Sequence, residues 1–428
     1  MTSPSYAHHF SINNLPFGVA SRSHDPQCAT RLHNTVIFLG VLQDSGVFND
    51  IPDLPKGILS NATLNEYAAL PKPLHAAVRA KLQSVLVDLD ALPENSKADI
   101  SSAKMHLPVS ISGFTDFSNS LNHVQNAGRA ILNDPAPPPG FFYFPIGYTG
   151  RASTVVVSGT PITRPSGHFY DRANPTPKTV VYGPCRALDY EMELGVVVGK
   201  PFQWGSGKGI SANDAEEYVF GFVLLNDWSA RDIQGLEMVP LGPLNGKAFG
   251  TTISPWIITT DALAPFRVAG PGSEPRVELT EHLKEEKEGN FDIVMSVEII
   301  HPPASTSTNG HAGSGEYEGK TISPVAISSA KDLFWSHRQM VAHLTSCGSD
   351  LRTGDLLGTG TVSGAEEGSY GCLLESTKGG KQAVKLADGT ERVYLLDGDI
   401  VRMSAVLGSE GSGVGFGECI GEICPAKQ

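Results

Sequence analysis

The sequence predicts a mainly β protein of the α+β class, divided into two domains, and three observations carry that reading. At 428 residues the chain is longer than one compact core usually takes. Its apolar residues gather in short runs of strand length, such as Val36–Leu39, Val219–Leu225 and Ile293–Ile300. Its 46 glycines and 30 prolines supply turns rather than long helices. The elements before residue 108 carry no obvious chemistry and a strand ending in a carboxylate begins at Val109, so an accessory domain over 1–108 and a larger β-rich domain over 109–428 are expected.

The formal net charge of −13 and the scatter of basic residues such as Arg22 and Arg31 argue against nucleic acid or an anionic membrane surface as a partner. No apolar run approaches membrane-spanning length, and the first residues lack the positive and apolar segments of a secretory leader. A soluble cytoplasmic protein is expected. The six cysteines, Cys28, Cys185, Cys347, Cys372, Cys419 and Cys424, show no CxxC or zinc-like spacing and read as reduced thiols.

Taken in order, Thr35–Leu42 reads as a buried strand, and Leu74–Leu86 as an amphipathic helix opened by Pro71 and Pro73. Val109–Asp116 reads as a strand ending in a carboxylate. A helix starting near Ser118 follows, with His123 about one and a half turns in and Gly128 loosening its end. Asp134–Gly140 is a stiff Pro-rich turn, after which a Gly-bounded loop presents Tyr148 ahead of the strand Thr154–Ser158.

The stretch Asp189–Gly199 then sets Glu191 and Glu193 two apart, on one face of a strand, just before a Val run that needs burial. Two adjacent buried carboxylates repel and lose hydration, which calls for a cation or a shared proton. Taken alone, a solvent-facing edge explains the pair as well.

Asn213–Tyr218 reads as a helix start. The apolar strand Val219–Leu225 stops at Asn226-Asp227-Trp228-Ser229, with Ser229 expected to cap a short helix bearing Arg231 and Gln234 on one face. Lys247 follows at 246–255. Residues 271–290 and 302–319 read as surface insertions around the strand Ile293–Ile300. Ser329–Ser346 reads as a helix with Leu333, His337, Met340, Val341 and Leu344 inward, Leu351–Thr361 as a strand and tight loop, and Tyr370–Glu375 as a strand ending in a lone carboxylate. The tail from Asp397 to Cys424 is β-like.

Several familiar motifs are excluded. The Gly-rich segments 411–417 and 358–361 open no helix within a βαβ unit, no Ser lies in a G-x-S-x-G elbow, and H-E-x-x-H is absent. The remaining constellation is Asp116, Glu191, Glu193 and Asp227. An all-oxygen set selects a hard cation, Ca²⁺ or Mg²⁺, over zinc or copper. Lys247 and Arg231 offset the excess negative charge and suit a developing oxyanion. If Glu375 orients His123, the imidazole is a base for water, and attack on a metal-chelated 1,3-dicarbonyl cleaves a carbon–carbon bond without an organic cofactor.

Phe114–Phe117 with His123, Gly147–Ser153, Leu188–Glu193, Asn226–Gln234 through Val239–Pro243 to Lys247–Trp256, Gly354–Thr361 and Gly415–Gly417 together resemble the fumarylacetoacetase family over nearly the whole chain. The resemblance implies an SH3-like N-terminal barrel, a β-rich C-terminal domain of the family's own fold, a homodimer, and a small diketo acid substrate from tyrosine and phenylalanine breakdown. It implies Asp116, Glu191, Glu193 and Asp227 as metal ligands, with Lys247 and Thr251 close by. His123 becomes the base held by Glu375, Arg231, Gln234 and Lys247 the oxyanion donors, and Tyr148, Gln234 and Thr361 substrate contacts.

Four positions depart from the family pattern. Ser118 and Met238 stand where tyrosines are usual, Leu132 where an arginine is, with Arg129 one turn away, and Thr149 where a histidine is. Each change removes or shortens a polar side chain, which suggests a less acidic or bulkier substrate. A decarboxylase or isomerase of a dioxo acid, and an idle metal-stabilised scaffold, are the competing readings.

Overall fold

The computed structural model describes residues 4–22, 25–171, 178–273, 276–303 and 317–427. Two sheets dominate. The larger runs from Lys97–Asp99 through Thr35–Phe38, Gln27–Leu32 and Phe17–Ser21 to Trp256–Thr259, Val219–Asp227, Met192–Val198, Leu356–Gly358, Phe114–Phe117 and Gly147–Thr149. The N-terminal strands therefore continue hydrogen-bond by hydrogen-bond into the C-terminal ones, with Phe17 opposite Ile257. A second sheet orders Thr321–Ser329, Ile293–His301, Ile400–Leu407, Gly415–Cys424 and Ile162–Thr163.

Val219–Asp227 is the central strand, buried at all nine positions. Its side chains alternate between two cores. Phe222 and Leu224 pack with Met295, Val297 and Met403 of the second sheet, while Val223 and Leu225 join Phe17, Val19 and the N-terminal helix residues Val78 and Leu82. Burial on both faces is why this strand reads as an unbroken apolar run, and why a carboxylate at its end is lifted out of water.

Several expected elements shift. The run Thr35–Leu42 splits into the strand Thr35–Phe38 and the helix Leu39–Asp44, since a short apolar run alone does not tell strand from helix. Of Val109–Asp116 only Phe114–Phe117 is strand. The following helix begins at Leu121, not Ser118: the Ser118 amide donates to Ile146 O, and Ser120 Oγ caps the helix by accepting from His123 N. His123 thus stands in the first turn. Gly128 lies inside this helix rather than at its end, where a Cβ would come 2.4 Å from Asp134 O, and the helix closes on Asn133 at φ 58°.

Residues 215–218 form a 3-10 turn. Ser229 caps no helix; it pairs with Asp189 in a short ladder and its hydroxyl donates to Asp227 O, so Ala230 precedes the helix Arg231–Glu237. Ser329 ends a strand, and the helix expected there is shortened to His337–Thr345, opened by a Ser336–Gln339 capping box. Glu375 lies on a short helix, Leu373–Ser376, not on a strand. Of the expected insertions, 274–275 and 304–316 lie outside the described residues. All six cysteines are free, and among the described residues no helix is long and apolar enough to cross a membrane.

Candidate active site

The larger sheet brings the four expected carboxylates to one place. Asp116 lies on a strand that runs parallel to Leu356–Gly358, with Asp116 beside Gly358. Glu191 immediately precedes Met192–Val198, and Glu193 lies within it, opposite Leu225 of the central strand. Asp227 ends that strand, opposite Thr251. One oxygen from each of Asp116, Glu191, Glu193 and Asp227 lies within 4.8 Å of the others, and all four residues are buried. Glycine at 358 is required: a Cβ there would stand 2.9 Å from Glu193 Oε2 and 3.1 Å from Asp116 Oδ1.

Cations and hydroxyls surround the cluster unevenly. Lys247 Nζ donates to Glu191 Oε2, and at 2.6 Å to Asp227 Oδ2. Thr251 Oγ1 donates to Asp227 Oδ1 at 2.9 Å, and Tyr148 OH to Asp227 Oδ2 at 3.3 Å. Arg231 Nη1 donates to Glu191 Oε1 at 2.8 Å and to Gln234 Oε1 at 3.3 Å. Burial would raise the Glu191 carboxyl, but the Lys247 and Arg231 charges outweigh it and hold it below the usual range. Burial pushes Asp116 and Glu193 well up, reinforced by Asp227 at the first and by Asp116 at the second. Burial would lower Lys247, yet Asp227 and Glu191 keep its ammonium above its ordinary value.

Asp116 Oδ1 and Glu193 Oε1 are buried without a hydrogen-bond partner among the described residues. Such oxygens are costly in a low-dielectric interior unless a cation or proton meets them. The donors are all oxygens, so the residues fit a hard dication.

Beside the cluster, His123 Nδ1 lies 2.7 Å from Glu375 Oε1. Glu375 also accepts from Ser363 Oγ at 2.7 Å and from Asn126 Nδ2 at 2.9 Å. Arg129 donates to Asn126 Oδ1, which ties it to the same network. The Glu375 side chain is fully buried, whereas that of His123 keeps 14% exposure. Thr361 is buried on the loop after Leu356–Gly358, its hydroxyl unpartnered among the described residues.

The chain matches two family models, "Fumarylacetoacetase N-terminal" over residues 13–108 and "Fumarylacetoacetate (FAA) hydrolase C-terminal" over 112–423. The chain belongs to the fumarylacetoacetate hydrolase family. It is similar to the fumarylacetoacetase of Aspergillus fumigatus, 42% identical with 97% of this chain and 96% of that one covered. Similarity to the fumarylacetoacetases of Arabidopsis thaliana, 39% identical over 98% and 96%, and Bos taurus, 38% over 97% and 96%, spans the same length. Among solved structures, "Fumarylacetoacetate hydrolase (EaFAH) from psychrophilic Exiguobacterium antarcticum" superposes with a TM-score of 0.52 at 16% identity, covering 96% of this chain and 100% of that one, a likeness of fold. The chain is a hydrolase acting on a carbon–carbon bond.

Sequence reasoning missed Asp189, Asn126 and Ser363. Asp189 had a usable signal, because it precedes Glu191 by two and continues the same alternation. Asn126 lies one turn beyond His123 on their shared helix, whereas Ser363 carried no signal: only the folded loop brings it to Glu375.

Proposed function

We propose that the chain hydrolyses fumarylacetoacetate, a 1,3-diketo acid, to fumarate and acetoacetate. Asp116, Glu191, Glu193 and Asp227 would hold a Ca²⁺ or Mg²⁺ ion, with Lys247 and Thr251 fixing the outer oxygens of Glu191 and Asp227. The observation that carries this reading is a carboxylate-held imidazole next to a buried, all-oxygen cluster with orphaned atoms. When bound, a hard dication polarises the diketone and offsets the enolate charge released on cleavage.

The residues supply the remaining steps. Glu375 holds the His123 Nδ1 proton, which leaves Nε2 to take a proton from water. The water oxygen bonds to the carbonyl carbon, and the carbonyl π pair moves onto its oxygen. Arg231, Lys247 and the Gln234 amide donate to that oxyanion. Gln234 suits the role because Arg231 occupies its Oε1 and leaves Nε2 as donor. Re-forming the carbonyl breaks the carbon–carbon bond. Its electron pair stays on the leaving carbon as an enolate, which recovers the proton from His123 Nε2, so one water is consumed and an acid and a ketone form. Tyr148 and Thr361 would contact the substrate.

Of the four departures, Leu132, Met238 and Thr149 are exposed, while the Ser118 amide serves the sheet. Identity of about 40% to enzymes named fumarylacetoacetase supports that substrate over an altered one. A division into 1–108 and 109–428, with the N-terminal antiparallel strands as an SH3-like accessory domain, belongs to the same reading. So does a homodimer, for which exposed Tyr170, Val393 and Leu396 line a surface depression of about 420 Å³. Steady-state assay of the Ca²⁺- or Mg²⁺-loaded protein tests the function: turnover of fumarylacetoacetate is expected, and its absence overturns the assignment.

A further inference from the structure

Asp189 is fully buried, and its carboxylate bonds two separate helices as well as the backbone of its own neighbour. Oδ1 accepts from Leu373 N at 2.8 Å and from Tyr190 N at 2.9 Å. Oδ2 accepts from Leu374 N at 2.9 Å and from Arg231 Nε at 2.9 Å. Leu373 and Leu374 are the two residues before Glu375, and the residue that opens their helix, Cys372, gives it no side-chain cap. Asp189 also lies two residues before Glu191, and its ladder partner Ser229 lies two before Arg231.

We propose that Asp189 is a positioning residue that locks the Glu375 segment and the Arg231 guanidinium into one rigid unit, so that the base and the oxyanion donors keep a fixed separation. The inference rests on the roles of His123, Glu375 and Arg231 given under Proposed function. Charge-assisted bonds to three amides and a guanidinium are short and directional, and they fill both oxygens. Cutting this joint frees the Glu375 segment to move relative to Arg231 while leaving the four cluster carboxylates in place. The chemistry is sensitive to such a slip, because a displacement of about 1 Å costs on the order of 10²-fold in rate.

Asp189→Asn tests this, since it keeps the shape but turns an NH₂ toward N–H donors. The expected result is a fall in kcat of roughly 10²-fold, with KM and calorimetric Ca²⁺ affinity changed by less than about threefold. In a Glu375→Gln background the same substitution should lower kcat by less than about threefold, because both act through one group. Multiplying losses, or a drop in melting temperature with kcat retained, overturn the proposal.

Hydrogen exchange reads the joint without turnover: the Leu373 and Leu374 amides should be protected in the wild-type protein and exposed in Asp189→Asn. Fast exchange of these amides in the wild type defeats the proposal even if the variant does not fold. Protected amides in a protein that hydrolyses no diketo acid instead locate the failure in the catalytic reading.

Discussion

His123 Nδ1 and Glu375 Oε1 stand 2.7 Å apart although 252 residues separate them in the chain. The carboxylate is buried and held by Ser363 and Asn126, so the ring has one defined orientation, while the imidazole remains partly open to solvent. A buried carboxylate with its other lone pairs satisfied is an effective orienter, since it has no competing geometry to adopt.

His123→Ala should therefore lower kcat by roughly 10²- to 10⁴-fold, the range a general base contributes. Ca²⁺ affinity should be unchanged, because His123 is not among the cluster oxygens. Steady-state kinetics alongside calorimetric titration of the same variant check both halves.

Metal removal should act on stability as well as rate. Without a cation, the buried Asp116 Oδ1 and Glu193 Oε1 have no partner among the described residues, and each such group costs about 1–3 kcal/mol. Chelation should lower the melting temperature and abolish turnover, and Ca²⁺ or Mg²⁺ should restore both. A melting curve unmoved by chelator would rule out a cation bound at these oxygens.

Gly358→Ala should weaken the cation site more than the fold. The added methyl would meet carboxylate oxygens of Glu193 and Asp116 at 2.9 and 3.1 Å, which forces the ligands apart. Overpacking of this kind costs about 1–3 kcal/mol, and Ca²⁺ affinity should drop by at least about tenfold, the factor that corresponds to 1.4 kcal/mol. Titration calorimetry against thermal melting separates the two effects.

Acid should destabilise the N-terminal helix region in a defined window. Burial lowers His75 from 6.5 to about 4, its Nε2 being bonded to Tyr67 O. The folded state then binds fewer protons than the unfolded one between these values, so stability rises with pH across pH 4 to 6.5 and is lost as pH falls. The shift corresponds to roughly 3 kcal/mol. His75→Gln should flatten the pH dependence of the melting temperature in this window, and an unchanged slope would refute the assignment.

Alternation along Asp189–Gly199 is enough to place Glu191 and Glu193 on one face, and the helical spacing of Arg231 and Gln234 is enough to bring them into contact. The same rules go wrong where a tertiary partner competes. Ser229 has the chemistry of a cap, but pairing with Asp189 keeps its backbone extended. Glu375 follows a strand-like run, yet Asp189 accepts from the two preceding amides and a helix forms there instead.

The sequence by itself determined the β-rich class and the family, and it singled out the four carboxylates that cluster and the His123–Glu375 pair that meets, because local periodicity and side-chain chemistry are properties of neighbouring residues. Only the tertiary structure decided which oxygens are orphaned, which carboxylate is neutralised by Lys247 and Arg231, and that the Asp189 carboxylate bonds both Arg231 and the Leu373 and Leu374 amides before Glu375. Those outcomes depend on distances between strands remote in sequence and on exclusion of water between them, and neither is encoded in any local pattern.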